Sequence, residues 1–367
     1  AVFDLDNDWR IENRFRKSSI SGNFNSLIPA EVGSASSIAQ SIGGVGATLS
    51  NANTGEAFND ELAMRIHTFD VTLNDFGSIV NDFKLTKSFS DDTSLTFGYF
   101  ASTQNIAMSW LWNSYLMELK GDNAALLNVT AADGTEYSEN GLYAYGTPYW
   151  GNCCQRDYDT EYDTRAPYVA FSTKLGDVSI DASARYDSGE ARGNYAGAVT
   201  STVDMNRDGT ISIPEQNVAG IDIANASPVN YDWSYSSYSV GANYQIDPSL
   251  ATFARISKGG RANADRLLFG KVRSDGSVAD EDAVDEVNQF EIGVKKRFDS
   301  FSVFATAFYA ETEEQNFEAT SQTFFDREYE AKGIEVESTY FMDAWDFRGN
   351  FTWTDAEIAK DALTPEV

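Results

Sequence analysis

The chain has 367 residues, 42% of them hydrophobic and 13% aromatic, and a formal net charge of −29. Such acidity excludes a nucleic-acid binder, which needs basic surface to displace counterions, and disfavours a site that collects highly anionic ligands. Two cysteines and one histidine leave no zinc or iron–sulfur ligand spacing, and no run of about eighteen apolar residues offers a helical membrane span, which leaves a strand-built one open.

Asp8 to Lys17 reads as the first strand, with Trp9, Ile11 and Phe15 on one face and Arg10, Glu12, Arg14 and Arg16 on the other. Successive side chains of a strand point to opposite faces, so this alternation gives one greasy and one wet face. A polar connection rich in Ser, Gly and Asn follows, over about 19–65. Ile66 to Phe89 is a long strand with an irregular break near Asp75-Phe76-Gly77. The lone His67 lies in its alternating run with Phe69, Val71 and Leu73, which gives it a structural role. Ser90-Asp91-Asp92 turns the chain into a strand marked by Leu95, Phe97, Tyr99 and Ala101.

A long connection over about 103–165 comes next, with a short helix expected at Ser109–Glu118. Its aromatics include Trp110, Trp112, Tyr115, Tyr149 and Trp150, whose flat apolar faces and polar edges suit stacking on sugar rings. The plainer alternative is that they pack the loop's own core or an interfacial girdle. Cys153 and Cys154 are adjacent and can form a vicinal disulfide in an oxidising compartment.

Tyr168–Leu175 and Val178–Tyr186 form a hairpin across Gly176-Asp177. The next long connection, about 188–228, holds the sharpest local signal, Asp204 to Glu215. Asp204, Asn206 and Asp208 stand at positions one, three and five of an EF-hand-type calcium loop, and Gly209 at the sharp turn. Thr210 offers its carbonyl at seven, Ser212 stands at the water-mediated ninth position, and Glu215 can chelate with both oxygens at twelve. Calcium is a hard cation that prefers such an oxygen cage. No amphipathic helices flank the loop, so a structural calcium ion is expected rather than a helix-pair sensor.

Strands at Tyr238–Ile246 and Leu250–Lys258 turn through Asp247-Pro248, and another long connection covers about 259–285. Four strands fill Glu286–Ile358, with turns at Asp299-Ser300 and Met342-Asp343-Ala344 and a shorter loop near Asn316–Asp326. Phe301–Ala310 is apolar on both faces. The final strand is the clearest, setting Trp345, Phe347, Gly349, Phe351 and Trp353 against Asp346, Arg348, Asn350, Thr352 and Thr354.

Through about eleven strands the connections alternate long and short. Outer-membrane barrels do this, with short periplasmic turns and longer extracellular loops. A soluble sandwich has no reason to keep that rhythm. The expected fold is all-β, part of a transmembrane antiparallel β-barrel with long extracellular loops. Arg14, Asp181, Arg185, Glu291, Arg297, Glu335 and Arg348 would then wet its interior. Ala1 opens the chain without a leader pattern, as expected of a processed, trimmed or partial chain.

The later strands resemble those of the TonB-dependent outer-membrane receptors. Ala254 to Ala262 is similar to that family's strand ending in Gly-Phe-Arg-Ala-Pro, with Gly260 in place of the aromatic and Asn263 in place of the proline. Glu286 to Lys295 resembles its Glu-x-x-x-x-Glu-x-Gly-x-Lys strand, and Ala307-Phe308-Tyr309 and Lys332 to Glu337 resemble the next two. The resemblance implies a barrel of about twenty-two strands around a plug in the outer membrane of a Gram-negative bacterium. It also implies uptake of a scarce nutrient, driven by the inner-membrane TonB complex through a region outside these residues. The aromatic loop and the acidic balance lean toward a neutral oligosaccharide, with a ferric siderophore as runner-up. A structural or adhesive barrel, working with a surface lipoprotein or other envelope partner, is the rival of a different class. No nucleophile elbow, phosphate-cradling loop or His-based motif points to an enzyme.

Overall fold

A computed structural model describes residues 1–59, 61–264, 272–318 and 323–365. Its strands in chain order are Val2–Leu5 (β1), Trp9–Ser18 (β2), Gly22–Ser34 (β3), Thr48–Asn51 (β4), Ala57–Phe58 (β5), Leu62–Asp75 (β6) and Ser78–Ser90 (β7). Thr93–Glu118 (β8), Leu127–Thr130 (β9), Leu142–Ala144 (β10), Arg156–Leu175 (β11), Val178–Ala196 (β12), Ala198–Ser201 (β13) and Val218–Ile221 (β14) follow. Ser227–Asp247 (β15), Leu250–Ala262 (β16), Val284–Arg297 (β17), Phe301–Glu318 (β18), Thr323–Met342 (β19) and Trp345–Pro365 (β20) close the order. Among the described residues, helices are confined to Ala35–Gly43 (α1), Asp280–Ala283 (α2) and three short 3₁₀ turns.

One antiparallel sheet organises the chain, in the order β1-β2-β7-β8-β11-β12-β15-β16-β17-β18-β19-β20. From β7 onward each long strand pairs with the next long strand of the wall, the up-and-down order of a barrel, while β2 pairs with β7 across the inserted β3 and β6, which pair with each other. The register carries the expected alternation across the wall. Ile180, Ala242, Ala254, Ile292, Ala307, Ile334 and Trp353 form one apolar row over seven strands. Ile292, Ile334 and Trp353 remain 48%, 45% and 51% exposed, as side chains facing lipid should be. One residue along, Asp181, Gly241, Arg255 and Glu291 form the wet row on the other face.

Aromatics on the wet face are tied to glycines on neighbouring strands. A Cβ built on Gly98 would fall inside the Tyr168 ring, one on Gly293 against Phe253, and one on Gly333 against Phe308. The ring covers a spot the glycine leaves empty, which shields backbone and pins register. This explains why Phe301–Ala310 is apolar on both sides: Phe308 faces inward over Gly333, while Phe304 stacks on Phe253 at 5.5 Å.

Several expectations need correcting. No helix forms at Ser109–Glu118, which is the upper end of β8. Its even-numbered residues Trp112, Ser114 and Leu116 are buried, a period of two rather than 3.6. The connection expected over 103–165 therefore shrinks to 119–155, and those over 188–228 and 259–285 to 197–226 and 263–283. The region 19–65 holds β3, α1, β4, β5 and the start of β6. Strands also run into the loop expected near Asn316–Asp326, of which 319–322 lie outside the described residues. In each case backbone pairing continues after the lipid-facing pattern has stopped. The break near Asp75-Phe76-Gly77 is present, since β6 ends at Asp75, β7 starts at Ser78, and both run along β8.

Candidate functional site

Above the apolar rows, the extended ends of β3, β6 and β8 carry a cap. In α1, Ser34 accepts from the Ser37 N–H at 3.2 Å as N-cap, and Gly44 leaves the helix at φ 82°. Ala35, Ile38, Ala39 and Ile42 follow helical spacing, so one stripe turns inward. It packs on a small sheet of β5, β4 and β9. Ile38, Leu49, Leu116, Leu127 and Val129 are essentially inaccessible there. The connections 35–61 and 119–155 thus share a core, and fully burying each of these side chains contributes about 1.5–3 kcal/mol.

Beside this core the aromatics form a second cluster. Trp112 is 8% exposed and Trp150 2%, packed with Phe69, Trp110 and the Cys153–Cys154 disulfide. Of the five aromatics proposed for ligand stacking, these two are turned inward, Trp110 and Tyr115 are half-buried, and Tyr149 is 46% exposed. The three on β8 were expected in a loop. The Arg65 guanidinium lies 4.4 Å from the Tyr149 ring centre and 5.2 Å from that of Tyr143, and Arg65 pairs with Glu31 at 3.1 Å.

His67 lies within this cap, outside the membrane-spanning rows. Ser114 Oγ donates to the Gly146 carbonyl at 2.5 Å, so its lone pair is left to accept from His67 Nδ1–H at 2.7 Å. Burial, and then the Arg65 charge, push the imidazole down to about 4, and it stacks edge-on against Trp150 at 4.4 Å.

The calcium-type loop joins β13 to β14, which pair from Ala198↔Ile221 to Ser201↔Val218. Gly209 at φ 87° and Arg207 at φ 62° make its turns, and the Gly209 N–H donates to Asp204 Oδ2 at 3.0 Å. Thr210 donates to Asp208 Oδ1 from its N–H at 2.8 Å and its hydroxyl at 2.5 Å, holding the Asp208 carboxyl below its ordinary range. Glu215 is 1% exposed and spans the loop. Its Oε2 accepts from the Ser212 N–H at 2.9 Å and hydroxyl at 2.8 Å, and its Oε1 from the Met205 N–H at 2.7 Å and Asn206 N–H at 3.2 Å. The Ser212 N–H first, then these other donors, hold Glu215 below the usual carboxylate range against the cost of burial.

Asp204 Oδ1 is buried with no hydrogen-bond partner among the described residues. Yet no three His, Cys, Asp or Glu side chains among those residues are gathered into a metal-ready cluster. All six candidate ligands, Asp204, Asn206, Asp208, Thr210, Ser212 and Glu215, lie in this one turn, held partly by its own N–H groups.

Residues 4–366 match the family model described as TonB dependent receptor-like, beta-barrel. The chain belongs to this family. Membership places it in the outer membrane of a Gram-negative bacterium, with the lipid-facing rows in the bilayer. No curated protein matches it. Among solved structures it is similar to the ferric yersiniabactin uptake receptor FyuA from Yersinia pestis, at 12% identity and TM-score 0.42, covering 96% of this chain and 60% of that one. The siderophore receptor PiuA from Acinetobacter baumannii matches at 11% and 0.40, with 98% and 61% covered. The ferric-catecholate import receptor Fiu from E. coli matches at 10% and 0.39, with 98% and 62% covered. The chain thus spans about three fifths of each of these structures.

Proposed function

We propose that this barrel serves an outer-membrane receptor that takes up a scarce nutrient, driven by the inner-membrane TonB complex through a region outside these residues. The observation that carries this is the family match over residues 4–366, supported by the lipid-facing rows. On this reading the ligand meets the cap first, at Tyr149 with the half-buried Trp110 and Tyr115. An oligosaccharide stacked on these rings is the leading substrate class. A ferric siderophore is the second reading, favoured by the inward turn of Trp112 and Trp150, which leaves less ring surface than a sugar platform uses.

A calcium ion in the 204–215 turn completes the proposal. The donors are hard oxygens: Asp204, Asn206 and Asp208 side chains, the Thr210 carbonyl, Ser212 through water and Glu215 with both oxygens. The ion would supply the positive charge that the unpartnered Asp204 Oδ1 lacks. Its role is structural, ordering a hairpin with little core of its own.

Calorimetric titration of the natural receptor in detergent, against oligosaccharides and ferric siderophores, tests the uptake reading. Binding of one class, weakened at least tenfold by Tyr149→Ala, supports it. Silence toward both, with nutrient uptake unchanged when the gene is deleted, would leave the structural-barrel rival standing.

A further inference from the structure

The calcium-type hairpin is fastened to the cap at one place. The 3₁₀ turn Pro214–Asn217, which carries Glu215, packs on β10. Directly after it, the Ala219 N–H donates to the Tyr145 carbonyl at 2.7 Å. At the next residue a Cβ on Gly146 would come within 2.6 Å of the Ala219 side chain, so the two backbones meet as closely as glycine allows. From Gly146 the contact continues inward, because its carbonyl accepts from Ser114, which also holds His67 against Trp150. β10 pairs with β8 at Tyr115 and Ser114, and four residues past Tyr145 stands the exposed Tyr149.

We infer that cation occupancy of the 204–215 turn sets the position of residues 142–150, and so makes ligand capture by the cap calcium-dependent. The inference rests on the calcium reading above. Glu215 is the lever, since its carboxylate ties both ends of the turn and its backbone leads within four residues to the Ala219 anchor. With a cation bound, the acidic side chains cease to repel one another and β14 is held in register. The Ala219–Tyr145 bond then clamps the segment that carries Tyr149. Without it the hairpin loosens, and the segment loses its outer support while keeping its link to Ser114.

The test is hydrogen exchange of the natural receptor in detergent, in millimolar calcium and in chelator, beside calorimetric titration with calcium alone. Calcium should bind with Kd roughly 10⁻⁴–10⁻³ M and slow exchange across 142–150 about tenfold. Ala219→Pro removes the N–H that reaches Tyr145 and leaves every loop oxygen in place. It should still bind calcium but show no slowing at 142–150. Glu215→Gln should weaken calcium binding and the slowing together. If the unaltered receptor binds calcium and 142–150 does not respond, or if Ala219→Pro still responds, the coupling is wrong. If calcium does not bind at all, the calcium reading itself falls, and this inference with it.

Discussion

The wall from β11 to β20 and the cap above β8 differ first in where their apolar side chains go. In the wall, Ile292, Ile334 and Trp353 point outward and stay half-exposed, because the bilayer is their solvent. In the cap, Ile38, Leu49 and Leu127 point inward and are sealed from water. The wall is held by a repeating backbone ladder in which each strand from β11 to β19 along the path serves two neighbours. The cap is held by few specific contacts: one helix stripe, a three-stranded sheet, and the polar run from Ser114 to His67 and Gly146. A wall tolerates local change wherever the ladder and the outward polarity survive, whereas the cap depends on individual side chains.

That contrast can be broken at chosen points. Leu127→Ala should have the largest effect, about 2–5 kcal/mol, confined to the cap. Hydrogen exchange should rise in β4 and β9 while the wall strands stay protected; simultaneous loss in the wall would show that the two regions unfold as one. Ile292→Arg places a charge in the middle of the apolar row and should cost about 2–4 kcal/mol, read by denaturant unfolding in lipid vesicles. The same substitution at Glu291, on the wet face one residue away, should cost far less, and equal costs would contradict the assignment of faces.

Gly98→Ala forces the Tyr168 ring off its glycine and endangers its 2.7 Å bond to Asp82. Overpacking of this kind costs about 1–3 kcal/mol, and the paired change Gly98→Ala with Tyr168→Ala should recover part of it.

The smallest effect is a pH dependence of the cap. His67 has its folded pKa lowered from 6.5 to about 4, so the folded state favours the neutral ring. Stability is then complete above the unfolded value and falls as pH drops from 6.5 toward 4. Between pH 7 and pH 6 the loss should be about 0.7 kcal/mol, visible in thermal melts followed by tryptophan fluorescence and absent in His67→Gln. A cap equally stable at both pH values would mean that His67 is not sealed.

The wall was legible because lipid and water impose a sharp contrast on alternate residues, and because its short turns at 90–92, 176–177, 247–248 and 299–300 carry Asp, Gly, Pro or Ser. Above the bilayer both faces of a strand meet protein or water, and the contrast fades. The stretch Ser109–Glu118 therefore reads as a helix from its sequence, although alternate burial at Trp112, Ser114 and Leu116 marks it as strand. One signal in the cap was readable and missed: Ser34 as N-cap before Ala35, Ile38, Ala39 and Ile42.

The sequence alone determined the strand rhythm, the two faces of the wall and the calcium-loop-like spacing of oxygen-bearing side chains from Asp204 to Glu215, since each depends on residues within a few positions of one another. Only the tertiary structure decided that two distant connections share one core, that Trp112 and Trp150 face inward, and that Ala219 meets Tyr145. Those outcomes depend on which surfaces are brought together from distant parts of the chain, as with Leu49 and its strand partner Val129 or Tyr145 and Ala219. Local periodicity carries no record of such pairings, because any apolar stripe of suitable size could fill the same space.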